Sequence, residues 1–241
     1  MTGDHRLLLH FVEDGALVSK GWIEAAGTYA RVDGGSDIGA DLRAAFRFGR
    51  NVEAGLTARA LMRSRDAGQP LFGATLASEV DATGLVDPQL YGKYRLLRSP
   101  VEVSLGAIAS LPLGDERSGL GPGSFGYRAF LGLRRGFPGA TLVGSLGAAS
   151  QGASKAAGRD AGRTSGLLGF GLLVPLSYEW TFLAEVNYEG ARFKDQGQDI
   201  EALAGMDWRP AENIVVRGGM GAGLTDAAPS VLAVLSAAFH F

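Results

Sequence analysis

The chain has three histidines, His5, His10 and His240, and no cysteine. Those counts bound the chemistry it can do. Without thiols there is no disulfide framework, thiolate nucleophile or cysteine metal site. Serine hydrolysis needs a base in reach of its nucleophile. His240 has Ser236 four residues back on the same strand parity. A strand rise of ~3.4 Å puts them about 13 Å apart, too far to bond. No H-E-x-x-H, D-x-D-x-D-G or G-x-S-x-G spacing occurs. The run Gly218-Gly219-Met220-Gly221-Ala222-Gly223, after Ile214-Val215-Val216, mimics a phosphate loop. A dinucleotide fingerprint also needs a following helix and an acidic residue about twenty positions on, and the chain ends on another strand pattern first. Asp115, Glu116, Asp195 and Asp199 are scattered loop acids that read as solvated rather than as a metal set. No catalytic residue, metal site or cofactor is expected.

The remaining chemistry is charge, and its spacing is informative. Nine cations fall on one strand parity: Arg43, Arg47, Arg59, Arg63, Lys93, Arg95, Arg128, Arg134 and Arg217. Eight anions share it: Glu24, Asp41, Glu53, Glu102, Glu185, Glu189, Glu201 and Asp207. The opposite parity is apolar and almost free of charge, with Arg135 the clear exception at a strand end, where it can snorkel. Residues of one parity share one face of a strand. Trp180, Phe182, Ala184, Val186 and Tyr188 alternate with polar neighbours, and Ile38 to Phe48 and Ile200 to Trp208 do the same. A helix would show a 3.6-residue period instead.

Twelve such strands are expected, near 21–31, 37–49, 52–63, 87–98, 101–111, 124–135, 140–150, 164–176, 180–192, 199–208, 213–223 and 230–241. Short links, such as Arg50-Asn51 and Ser99-Pro100, alternate with mostly longer ones, such as 64–86 and 112–123. That alternation, an even strand number and about ten residues per crossing describe an antiparallel transmembrane β-barrel. Closure satisfies every backbone polar group in lipid. Trp22, Phe46, Phe48, Trp180, Trp208 and Phe241 gather near the short links as membrane-interface aromatics. Tyr29, Phe125, Tyr127, Tyr188 and Phe193 form a smaller set near the long ones. The last strand ends on Phe241, like the assembly signal of bacterial outer-membrane proteins, so the barrel assembly machinery is an expected partner. A soluble all-β protein would also alternate, but would not need the loop rhythm or the aromatic girdles.

Composition agrees. Glycine supplies 37 of 241 residues, roughly twice its usual ~7% share. Many of these fall inside strand patterns, where a curved barrel wall accommodates them. Net charge is −2, which argues against a nucleic-acid partner. No run reaches the ~18 apolar residues of a spanning helix. Residues 1–11 show no signal peptide; either one has been removed or the protein stays inside the cell. We expect residues 1–20 to be a periplasmic segment or plug, and 21–241 to be the barrel.

Four segments resemble one family of outer-membrane transporters, of the phenol-degradation (meta-pathway) type. Val12-Glu13-Asp14-Gly15-Ala16 with Lys20-Gly21-Trp22-Ile23-Glu24 is similar to that family's acidic opening. Gly84-Leu85-Val86-Asp87-Pro88 with Gly92-Lys93-Tyr94-Arg95-Leu96-Leu97 is similar to its "GLGD…GLKYRLL" strand. Leu111-Pro112-Leu113-Gly114-Asp115-Glu116 and Gly223-Leu224-Thr225-Asp226-Ala227-Ala228-Pro229 resemble "LPTGDE" and "GLSDDAPD". Val86 and Leu113 depart from the usual Gly and Thr. The resemblance implies an outer-membrane channel or transporter passing small solutes, aromatic or apolar ones among them. A structural or adhesive barrel, and an outer-membrane lipid hydrolase, are the alternatives. The inward charges carry two readings. In one, the cations of strands 2 to 6 face the anions of strands 9 and 10 and set up a transverse field. In the other they form an ion-pair network filling a narrow barrel.

Overall fold

A computed structural model describes residues 12–72, 74–153, 162–193 and 196–241. His5, His10, Asp195 and most of the Gly/Ala/Ser stretch after Gly152 lie outside the described residues. All regular structure in the described residues is strand. The order is β1 (Gly21–Val32), β2 (Gly35–Phe48), β3 (Val52–Arg65), β4 (Pro70–Leu71), β5 (Ala74–Thr75), β6 (Val80–Leu85), β7 (Gln89–Leu97) and β8 (Glu102–Ser110). It continues with β9 (Gly126–Phe137), β10 (Ala140–Gln151), β11 (Thr164–Pro175), β12 (Trp180–Glu189), β13 (Asp199–Ala211), β14 (Ile214–Gly223) and β15 (Val231–His240).

Each wall strand pairs antiparallel with its chain neighbour, and β15 returns to pair with β1, from Trp22↔His240 to Arg31↔Val231. The result is a closed barrel of twelve wall positions, with no free edge in the ring. β6 and β7 share one position, both pairing with β3. Ala60 pairs with Leu85 whereas Thr57 pairs with Gln89. The wall therefore takes one extra residue at Val86-Asp87-Pro88, a β-bulge. The bulge inverts the parity of the strand: even residues face inward in β6 and odd ones in β7. This corrects the expected fourth strand, which begins at Val80 rather than near 87. Alternation could not show it, because the period breaks at the bulge. β4 and β5 form a small hairpin inside the loop between β3 and β6.

The two faces divide by parity. Leu42, Phe48, Leu105, Leu146, Phe170 and Leu235 are more than half exposed on the outer wall. Inside, Val18, Trp22, Tyr91, Ile108 and Phe130 form one apolar layer, and Val143, Leu173, Leu183 and Val234 another. The lumen is thus partly apolar as well as charged. Phe46, Phe48, Trp180, Trp208 and Phe241 sit on the outer wall at the short-turn end, with the Trp180 and Trp208 rings stacked at 5.9 Å. Trp22 does not join them. It lies on the inward parity with Glu24 and is 0% exposed; its indole packs edge-on against His240 at 4.1 Å and beneath the Arg217 guanidinium. Phe193 also turns inward and is 5% exposed.

The barrel lumen as candidate functional site

The alternating strands deliver the charged parity into the lumen, where most of it pairs locally. Arg43 meets Glu24 at 3.7 Å and Asp41 at 3.4 Å. Arg59 meets Asp41 at 3.3 Å and donates to the Thr28 hydroxyl at 2.8 Å. Arg63 is held in a two-pronged contact by Asp37, which also takes Arg65 at 2.8 Å. Arg95 lies 3.8 Å from Glu102, and Arg217 lies 3.7 Å from both Glu24 and Asp207. Arg128 bridges to Glu189 at 2.9 Å, and Glu189 also holds Arg192. Arg47 donates to the carbonyls of Ser19, Gly49 and Arg50 at the short-turn end. Glu185 is buried beside Asn187, which donates to it, and Glu201 is half-buried across the β12–β13 ladder from Asn187. Apart from the Arg128–Glu189 pair, the cationic arc is met by acids within it, beside it on β1, and on residues 13–14. Asp37 is one of these acids; its odd parity with Asp41 was the signal for it.

Residues 12–19 enter the lumen from the short-turn end, and the charges explain why they stay. Lys93, with its side chain fully shielded, donates to the carbonyls of Val12, Asp14 and Ala16 at 3.2, 3.2 and 2.8 Å. Glu53 accepts from the Val18 amide at 2.6 Å, from Tyr91 Oη at 3.1 Å, and pairs with Lys93 at 3.2 Å. Asp14, 0% exposed, pairs with Arg134 at 2.6 Å, and Glu13 reaches Arg128 at 3.6 Å. Ser104 donates to the Gly15 carbonyl at 2.5 Å. Backbone meets backbone here: a Cβ on Gly132 would lie 2.4 Å from the Glu13 carbonyl oxygen, and one on Gly15 would lie 2.7 Å from the β8 and β9 main chain. A charge-assisted hydrogen bond is roughly twice as strong as a neutral one, and this segment collects several.

Above the segment are two cavities. The lower, about 260 Å³, lies among Glu13, Asp41, Arg43, Arg59, Asp87 and Arg128. The upper, about 190 Å³, shares Arg59, Val86, Asp87 and Gln89 with it and is roofed by Phe72, Leu120 and Phe193. The long loops build that roof by folding inward. Arg63 donates to the Gly119 carbonyl at 2.6 Å, the Gly114 amide donates to Asp87 Oδ1 at 2.7 Å, and Phe72 and Phe193 meet at 6.2 Å. A larger concavity of about 550 Å³ opens on the outer wall over β7 to β11, floored by Gly92, Ala107, Ala129 and Ala148.

The other chemistry considered from sequence disperses. Ser236 donates to Glu24 at 2.5 Å rather than serving His240, whose ring lies against Trp22. The 218–223 glycines are strand β14, and another strand follows. Asp115 spends its carboxylate on Ser118 and the Arg117 amide in its own turn.

No protein-family model matches the chain, and no curated protein matches its sequence. Solved structures do match the fold. An outer membrane channel from Pseudomonas putida F1 superimposes with a TM-score of 0.71 at 9% identity, covering 95% of this chain and 98% of that one. The KdgM porin gives 0.59 at 11%, covering 91% and 99%. The CymD monoaromatic hydrocarbon channel gives 0.52 at 10%, covering 93% and 89%. This chain has the fold of outer-membrane channel barrels.

Proposed function

We propose that the protein is a bacterial outer-membrane channel for small solutes, with residues 12–19 as a plug that sets its resting state. The carrying observation is the arrangement of the lumen. Cavities of single-solute size stand above a segment held by reversible polar contacts, not fused into the wall. An interior of twelve strands falls between the filled eight-stranded and the water-filled sixteen-stranded barrels, so a removable plug is a physical way to regulate passage. The exposed apolar wall and the aromatic ring at the short-turn end suit lipid on the outside. The short turns and the end of β15 then face the periplasm. The fold of the channels named above supports the reading, as does the meta-pathway resemblance, which adds small aromatic or apolar solutes as cargo. No catalytic role is proposed: the one described histidine and its strand serine are engaged elsewhere.

The test is solute passage. Proteoliposomes holding the full chain should swell in small-solute solutions faster than empty vesicles. Deletion of residues 2–19 should raise both swelling and single-channel conductance. A deletion variant that is barrel-folded by heat-modifiable migration yet passes nothing would refute a channel.

A further inference from the structure

The upper cavity gathers charged groups that the ion-pair network leaves partly open. Three arginines, Arg59, Arg63 and Arg192, line it against one acid, Asp87. Arg63 is committed to Asp37 and to the Gly119 carbonyl. Arg59 pairs with Asp41 and Arg192 with Glu189, yet both keep much of their surface open, at 37% and 43% of the side chain. Other paired lumen cations are far more enclosed; Arg134 is at 3% and Arg217 at 1%. Arg59 Nε also has no aligned hydrogen-bond acceptor, although Asp41 is near. Gly39 makes room for this guanidinium, since a Cβ there would lie 2.7 Å from Nε. The acid is equally unfinished. Asp87 sits on the wall bulge; its Oδ1 accepts from the Gly114 amide, but its buried Oδ2 has no hydrogen-bond partner. A buried acceptor without a donor is costly.

The apolar lining is aromatic. Phe193 is buried, and Phe72 meets it at a 60° tilt. Phe72 has φ of +49°, the only non-glycine with positive φ in the described residues. That conformation is a genuine outlier for a bulky residue, and such strain is found where a side chain has a task. Here it follows β4 and presents the ring to the cavity. At about 190 Å³, the space is below the ~300 Å³ at which drug-sized sites begin, so it admits one ring and its substituents.

We propose that this cavity is a binding site for a hydroxylated aromatic carboxylate, met by solutes before they reach the plug. The ring lies against Phe72 and Phe193. The carboxylate takes donors from Arg59 and Arg192, and the phenolic hydroxyl donates to Asp87 Oδ2. This deepens the channel reading and rests on it for its physiological meaning. Binding, however, is measurable without passage.

The probe is 4-hydroxybenzoate, titrated calorimetrically into the detergent-solubilised full chain, with benzoate, phenol and acetate as comparisons. The expected order places 4-hydroxybenzoate first, benzoate about tenfold weaker through the loss of one charge-assisted hydrogen bond, and phenol weaker still through the loss of two. Acetate should give no binding heat. Arg59→Gln should weaken 4-hydroxybenzoate about tenfold, to the level of benzoate, and Arg192→Gln, at a more open position, should lower it in the same direction. Phe193→Leu should weaken all three aromatics together. Heat-modifiable migration of each variant reports folding. Equal affinities for benzoate and 4-hydroxybenzoate, or undiminished binding in folded Arg59→Gln and Arg192→Gln, would overturn the site. Swelling assays separate the two claims: binding without passage defeats the channel and leaves the site, whereas passage without binding defeats the site alone.

Discussion

Lys93→Met is the most discriminating change to make in the plug. The ammonium is the one group that holds three plug carbonyls and the buried Glu53 at once. Methionine is one atom shorter but keeps the unbranched apolar stem, so packing against the segment changes little. The charge removed leaves Glu53, 0% exposed, with only the Val18 amide and Tyr91 Oη named above. Breaking a buried pair by removing one partner costs ~3–5 kcal/mol. Three lost carbonyl contacts fall on the docked state alone. If about 3 kcal/mol of this distinguishes docked from undocked plug, the docking equilibrium moves by on the order of a hundredfold. A plug docked nearly all the time becomes one that is open for a measurable fraction. Because the chain has no cysteine, Ala16→Cys gives a single reporter thiol at a position that is 2% exposed. Maleimide should label it slowly in the parent and on the order of a hundredfold faster with Lys93→Met, with longer and more frequent openings in planar bilayers. Adding Glu53→Gln should recover stability without restoring protection. Wild-type labelling and conductance in Lys93→Met would refute the claim that these contacts hold the plug.

Other outcomes follow from single features. Gly132→Val places side-chain atoms where the Glu13 carbonyl lies, so it should open the channel without altering any charge, read as increased conductance. Arg43→Glu with Arg59→Glu reverses two lumen charges and should shift bilayer reversal potentials toward cation selectivity; unchanged potentials would leave these groups a structural role only. Phe170→Arg introduces charge on the outer wall at a residue 54% exposed, and should lower stability in lipid by ~2–4 kcal/mol if the site is at mid-bilayer; urea unfolding in vesicles measures it, and no loss would argue against a lipid-facing wall. Deleting Phe241, whose backbone pairs with Gly21 and whose ring meets Phe46 at 5.9 Å, should reduce the amount of folded barrel in the outer-membrane fraction through poorer handling by the assembly machinery.

Much of this architecture is legible in residue order, because a barrel wall has period two and its inner and outer faces differ in chemistry. Alternation at Trp180–Glu189 or Gly35–Phe48 places every side chain inside or outside with no knowledge of its partners, and loop lengths mark which ends lie together. Even β10 and β11, where both parities are small or apolar, end within a residue or two of the expected bounds. Two aromatics misled for an instructive reason. Trp22 and Phe193 are near the ends of the barrel by position, but parity and chain direction turn them inward, and amphipathic bulk alone does not report that.

Sequence by itself determined the strand count and the inward parity of the charges. These depend on local period and composition, which folding cannot alter. The tertiary structure alone decided how those charges are spent. It set Lys93 on the carbonyls of a segment about eighty residues away in the chain, joined Asp14 to Arg134, shifted parity at Val86-Asp87-Pro88, and folded the outer loops over Arg59 and Asp87. Each of these pairings closes across the lumen or between distant strands, and no repeat in the sequence encodes such a distance.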